Sequence, residues 1–221
     1  MSEQQSAPLP STDRTRLRRA PKRGHFDRDT INGILDAMPQ CHVGWVRDGA
    51  PMVIPTFHWR EGDHVYWHSS NGGPLSKAGE DPEVCLTVTI LDGFVMARSG
   101  MHHSANYRSV MIFGKARRIT DPDAKVARLR GFFEGLWPGR WDMLRPITEL
   151  EIKATAVYAL PIAEASAKMR TGGPIDDEED YALPIWAGIL PVTTHIGAPE
   201  PDPRNLPGLT PPAHLGALKI G

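Results

Sequence analysis

His64-Val65-Tyr66-Trp67-His68-Ser69-Ser70-Asn71-Gly72-Gly73-Pro74-Leu75-Ser76-Lys77 joins a β-prone run to a polar, glycine-rich turn. Its first five residues are β-branched, aromatic or imidazole types that suit a strand. Hydroxyls and glycines end that strand, and Pro74 opens a short helix over about 74–79. Upstream, Glu61-Gly62-Asp63 turns the chain in from a strand over Met52–Trp59. Asp48-Gly49 is a hairpin signal joining that strand to Cys41–Val46. Downstream, Val84–Leu91 places Val84, Leu86, Val88 and Ile90 on one face, another strand runs near Tyr107–Ile119, and Ala154–Leu160 is stopped by Pro161. Two helical patterns flank these strands. Phe26–Met38 aligns Ile31, Ile34, Leu35 and Met38, with Asp27 or Asp29 as cap. Asp121-Pro122 starts a stripe of Val126, Leu129, Phe133, Leu136 and Trp137, which reads as core. Five or six antiparallel strands with short turns and few helices predict a small barrel with helices packed outside.

The chain has 221 residues, 40% of them hydrophobic, enough for one domain with extensions. Lys and Arg number 25 against 26 Asp and Glu, and a net charge of -1 argues against a surface devoted to nucleic acid or an anionic membrane. No apolar run approaches the ~20 residues that span a bilayer. The N-terminus lacks the apolar core of a secretory signal. Cys41 and Cys85 stand alone, which fits a reducing cytoplasm, so the expected location is cytoplasmic. Composition shifts divide the chain into a flexible basic N-terminal tail (1–24), a folded domain (25–190) and a Pro-rich C-terminal arm (191–221).

Three polar clusters carry the chemistry. In 68–77, glycines, hydroxyls, a helix start and Lys77 are the parts of a phosphate cradle, or of an ordinary turn and helix cap. Ser99–Val110 holds His102, His103, Asn106, Tyr107, Arg108 and Ser109, which can edge a heterocycle or form a polar loop. Ser166–Pro174 adds Lys168 and Arg170, and Trp186 beyond it can cover a planar ring; the acidic run 176–180 reads as a solvated loop. No HExxH pattern appears and no metal site is expected. Non-covalent haem stays open, because one histidine and an apolar pocket suffice. Neither a G-x-S-x-G elbow nor a G-x-G-x-x-G fingerprint is present.

Taken together, Tyr66-Trp67-His68-Ser69, Gly73 to Lys77, His103 to Val110 with Phe113-Gly114, and Ser166-Ala167-Lys168 through Trp186 to Pro191 resemble the flavin-nucleotide-binding proteins related to nitroimidazole reductases. That group lies within the pyridoxamine 5'-phosphate oxidase-like split-barrel superfamily. The resemblance covers about residues 25–195. It implies a mainly β (α+β) fold, a six-stranded antiparallel split β-barrel with peripheral helices, and a homodimer with FMN at the subunit interface. It also implies that His68, Ser69 and Lys77 hold the phosphate region, and that Val53, Ile54, Pro55 and Thr56 present backbone groups to the isoalloxazine. Asn106, Tyr107 and Ser109 would lie near the flavin, and Lys168, Arg170 and Trp186 would reach it from the other subunit. In the reductase relatives the position of His68 belongs to the reaction centre. The expected activity is an FMN-dependent oxidoreductase acting on a small electron-poor substrate, with NAD(P)H as a reductant. The alternatives are a haem-binding or haem-degrading split barrel using His68, His102 or His103, a non-enzymatic flavin carrier, and a deazaflavin-binding relative.

Overall fold

Asp27 caps the first helix: its carboxylate accepts from the Thr30 N–H at 2.8 Å, and α1 (Arg28–Ala37) buries Ile31, Ile34 and Leu35. The computed structural model describes residues 7–221. Its strands are β1 (Gly24–His25), β2 (Gln40–Arg47), β3 (Ala50–Glu61), β4 (His64–Ser70), β5 (Glu83–Met96), β6 (Ser104–Lys115), β7 (Arg117–Ile119), β8 (Thr155–Pro161), β9 (Glu164–Arg170) and β10 (Gly188–Pro191). The other α-helices are α2 (Pro122–Leu136) and α3 (Glu149–Ala154). Among the described residues no helix is long and apolar enough to cross a membrane.

The strands pair antiparallel in the order β1-β9-β6-β5-β2-β3-β4-β8-β7, with β10 on the far end of β5. The path does not close on itself, as suits a split barrel, and it holds ten strands rather than the six expected. The strand expected near 107–119 divides into β6 and β7, and β1, β9 and β10 are additional. β9 was hard to read because its buried centre is Ala165-Ser166-Ala167, small residues without β propensity that lie flat against β6. The β2–β3 hairpin forms as the sequence predicts, with Asp48 and Gly49 both at positive φ (53° and 78°), the requirement of a type I′ turn. The expected helix at 74–79 is only a 3₁₀ turn, Leu75–Lys77.

β3 changes partners midway. Ala50–Phe57 pair with β2 alone, whereas His58–Glu61 pair with β4. The first half is therefore a free edge, which accommodates Pro51 and Pro55 and leaves backbone groups without a strand partner. The main core fills the barrel from Cys41, Val43, Val65, Trp67, Leu86, Val88, Ile112, Tyr158 and Leu160. A second cluster sits outside, where Leu129 and Phe132 of α2 cover Trp59, Tyr66 and Val157.

The N-terminal segment, expected to be loose, is laid on the sheet from residue 7. Leu9 is buried, and its N–H donates to Phe26 O at 2.8 Å. Arg14 bridges Glu83 of β5 and Glu164 of β9, with its guanidinium 5.1 Å over the Phe113 ring. The C-terminal arm is anchored at both ends, by β10 on β5 and by the Gly221 N–H donating to Ala37 O at 2.9 Å. Gly93 permits the first anchor. A methyl group there would stand 2.9 Å from Leu190 O and 3.1 Å from Ile189 Cγ2. Gly93→Ala is expected to lever β10 off β5, so limited proteolysis should cut residues 186–221 faster than in the native chain. Equal cleavage rates would show that the pairing absorbs the methyl.

His58 is buried in the barrel wall, its Nδ1 has no hydrogen-bond partner, and burial pushes its pKa down to about 4. The folded chain stays neutral at His58 where the unfolded chain, with an ordinary value near 6.5, takes up a proton. Stability is thus full above about pH 6.5 and is lost as pH falls toward 4, by on the order of 3 kcal/mol. Urea midpoints at pH 7 and pH 4.5 should fall further for the native protein than for His58→Gln; parallel losses would assign the pH dependence elsewhere.

Candidate functional site

Alternation along β4 sends Tyr66 and His68 to the outer face, toward α2, and Val65, Trp67 and Ser69 to the other. The His68 ring lies 5.7 Å from Phe132 and 6.5 Å from Trp59. It lines a cavity of about 860 Å³ walled by Val126, Leu129, Phe132, Phe133 and Trp141. That volume falls within the roughly 300–1,000 Å³ of small-molecule sites. His68 Nδ1 is buried without a partner, and burial lowers the ring's pKa, so the imidazole is neutral at pH 7. A neutral imidazole with an uncommitted nitrogen, set in an aromatic cleft, is a ready metal ligand.

The cavity wall is braced from behind. The Trp59 Nε1–H donates to Glu61 Oε1 at 3.0 Å, Glu61 pairs with Arg128 of α2, and Arg128 stacks over Tyr66 at 5.1 Å. Tyr66 in turn stacks on Trp59 at 5.8 Å. Gly131 leaves room for the Glu61 carboxylate beside the helix. This network ties α2 to β3 and β4 and thereby fixes Phe132 against His68. The helical stripe expected to be core thus also walls this cavity, through Val126, Leu129 and Phe133. Phe132, absent from that stripe, is its most buried aromatic. The crowding of Phe132, Phe133, Trp137 and Trp141 within ten residues was the available signal.

The proposed cradle looks different in detail. The N–H groups of Asn71, Gly72 and Gly73 are all engaged, by Ala154 O, Ser70 Oγ and Ser70 O. The helix that was to supply further donors is a single 3₁₀ turn. What this turn can offer an anion is the exposed ammonium of Lys77 and the Ser69 hydroxyl, on the strand face opposite His68.

Of the remaining candidates, Val53, Pro55, Tyr107, Ser109, Lys168 and Arg170 share one outer sheet face. Directly paired residues share a face, and the register aligns Val53 with Gly44 and Cys85, Pro55 with His42, Thr87 and Met111, and Tyr107 with Leu91 and Arg170. Ser109 pairs with Lys168, whose backbone carbonyl accepts from its hydroxyl at 3.2 Å. Lys168 Nζ lies 5.9 Å over the Tyr107 ring. Arg170 is buried, bonded to Asn106 Oδ1 and to the carbonyls of Gly172 (3.1 Å) and Gly173 (3.0 Å). Asn106 is buried beside it and donates to Gly172 O at 3.1 Å. Among the described residues neither Lys168 nor Arg170 has a carboxylate partner, and Arg23 nearby adds to the positive field. Ile54 and Thr56 take the opposite face of β3, opposite Val43 and Cys41. Trp186 is 68% exposed, just ahead of β10.

Asp176, in the run expected to be solvated, is buried. It accepts from the Arg98 N–H at 3.0 Å and pairs with the Arg98 guanidinium at 2.9 Å, pinning 176–182 onto 98–102. His102 stands 3.6 Å from the same carboxylate, and His103 Nδ1 lies 2.9 Å from Ser99 O. His102, Asp177 and Asp180 each bring one ligand atom within 4.8 Å of the others, on a partly exposed acidic loop.

The profile of the Pyridoxamine 5'-phosphate oxidase family matches residues 27–169. The chain belongs to that family. Among solved structures of the same split-barrel type, the flavocytochrome Anf3 from Azotobacter vinelandii is 51% identical, over 95% of this chain and 98% of that one, with a TM-score of 0.92. The FAD and heme binding protein from Mycobacterium smegmatis is 36% identical over 90% of this chain and 98% of that one, with a TM-score of 0.84. A protein of Bacteroides thetaiotaomicron named for 5-nitroimidazole antibiotic resistance is 22% identical over 64% of this chain and 83% of that one, with a TM-score of 0.52, a likeness of fold alone. No curated protein sequence matches the chain. The two similar structures cover 95% and 90% of this pyridoxamine 5'-phosphate oxidase family member, more than the profile match over residues 27–169.

Proposed function

We propose that this protein is a redox protein holding both a haem and a flavin. The observation that carries the reading is His68: a neutral imidazole with an unpaired, buried Nδ1 lining an aromatic cavity of about 860 Å³. Haem needs such a ligand and such a wall, and the residues present fit it. His102 Nδ1 is also unpartnered but faces the Asp176 carboxylate at 3.6 Å, His103 Nδ1 faces Ser99 O, and neither lines this cavity. The full-length similarity to a flavocytochrome and to an FAD- and heme-binding protein supports both cofactors.

The flavin belongs on the outer sheet face. Val53, Pro55 and the free edge of β3 suit a planar ring, Lys168 supplies a cation for its phosphates, and the buried Arg170, its N–H groups held by Asn106, Gly172 and Gly173, adds to the positive field with Arg23. FAD is favoured over FMN by the Mycobacterium smegmatis relative. Val53 (64% exposed), Phe57, Leu91 and Met111 leave this face apolar and bare, which supports a homodimer closed over it, with Trp186 reaching across. Bound flavin and haem supply the electron chemistry. The chain's own part is to ligate through His68, to exclude water with Phe132, Phe133 and Trp141, and to neutralise phosphate charge with Lys168 and Arg170. A small electron-poor substrate and NAD(P)H remain the proposed oxidant and reductant.

The visible spectrum of freshly purified protein tests this. A Soret band together with flavin absorption, and release of FAD on denaturation, is the expected result. Released FMN would restore the simpler FMN oxidoreductase, and a protein that takes up neither hemin nor flavin would overturn the proposal.

A further inference from the structure

Three aromatic residues and His68 explain why a flat apolar ring would enter the cavity, but haem also carries two carboxylates. Asp142 and Glu151 line the same cavity, and both are acidic. Asp142 is paired with Arg130 at 3.0 Å. Arg145 is the sole permanent cation among the described lining residues, and it is held by Glu151 through a two-pronged pair.

Glu151 has a second set of partners. It is the third residue of α3, and its carboxylate closes a capping box, accepting from the Thr148 N–H at 2.8 Å and the Thr148 hydroxyl at 2.9 Å. It therefore stays bonded if Arg145 departs. Arg145 is two-thirds exposed, and an exposed ion pair of this kind is easily exchanged. A guanidinium fork matches any incoming carboxylate in the same bidentate way.

We propose that Arg145 is the carboxylate clamp of the His68 cavity, with Glu151 as the internal carboxylate that parks it until a ligand's own carboxylate takes over. The clamp selects planar ligands bearing carboxylates over neutral ones of the same shape. This rests on the haem reading of the cavity.

Titration of the purified, cofactor-stripped full chain with hemin and with hemin dimethyl ester, read at the Soret band, separates the two ideas. The ester keeps the iron and the ring and lacks the charges. The native chain is expected to bind hemin about tenfold or more tightly than the ester. Arg145→Gln should lose that preference by weakening hemin alone, and Glu151→Gln should strengthen hemin binding about threefold by releasing the fork. Equal affinity of the native chain for both probes overturns the clamp and leaves the haem cavity standing. Equal weakening of both probes in Arg145→Gln assigns Arg145 to wall packing and also overturns it. Failure of the native chain to bind either probe overturns the haem reading itself.

Discussion

His68→Ala is expected to weaken hemin binding by about 100-fold or more while leaving the far-ultraviolet spectrum unchanged. The effect is large because no other residue lining the cavity brings an imidazole or a sulfur ligand, and its two carboxylates, Asp142 and Glu151, are already paired with Arg130 and Arg145. The fold should survive, since His68 makes no hydrogen bond through Nδ1 and sits outside the barrel core. A pH profile adds an independent check. Burial holds the His68 pKa below the ordinary histidine value, so ligation should persist as pH falls through 6.5 and fail only below it, when the ring finally protonates. Retention of a normal Soret band in His68→Ala would move the ligand to another histidine.

Trp67→Ala should cost about 3–5 kcal/mol in urea denaturation, the largest single loss in the barrel. Trp67 is fully buried and stacks on Tyr158 at 5.4 Å, with ring planes 17° apart. Tyr158 passes the constraint on: its hydroxyl lies 3.0 Å from Ser76 Oγ, and Ser76 donates to Ser70 O at 3.2 Å. One stack thus anchors the turn that follows β4. The Trp67 indole N–H has no partner, so Trp67→Phe forfeits contact area but no hydrogen bond and should cost far less. Comparable losses for Phe and Ala would mean that the ring's stacking contributes little.

Much of the architecture was written in local signals. The Asp48-Gly49 turn, the Asp27 and Asp121 caps and the alternation of Val84 to Ile90 each depend on neighbours within a few residues, and each forms as the sequence predicts. The Thr148-x-x-Glu151 capping box was equally local and was not read. The failures share another cause. Arg14 looked like part of a loose basic tail because its partners, Glu83 and Glu164, lie 69 and 150 positions away. Asp176 looked solvated because Arg98 is 78 positions distant. β9 carries Lys168 and Arg170 but no local strand signal, because its alanines pair across to β6 and gain their burial there.

The site divides in the same way. Residue types and their clustering along the chain are enough to name His68, Asn106, Tyr107, Ser109, Lys168 and Arg170 as candidates. The mainly β, antiparallel character is equally local, because hydrophobic period and turn residues act over a few positions of chain, whereas the ten-strand count is not. How those residues divide between two faces follows from tertiary packing. It set His68 on the α2 side of β4, among aromatics contributed by residues sixty and more positions later, and set Lys168 and Arg170 on a different sheet face. Which face a side chain occupies follows from strand register and from what packs above it. Both depend on contacts between segments remote in the chain, so no reading of neighbouring residues can supply them.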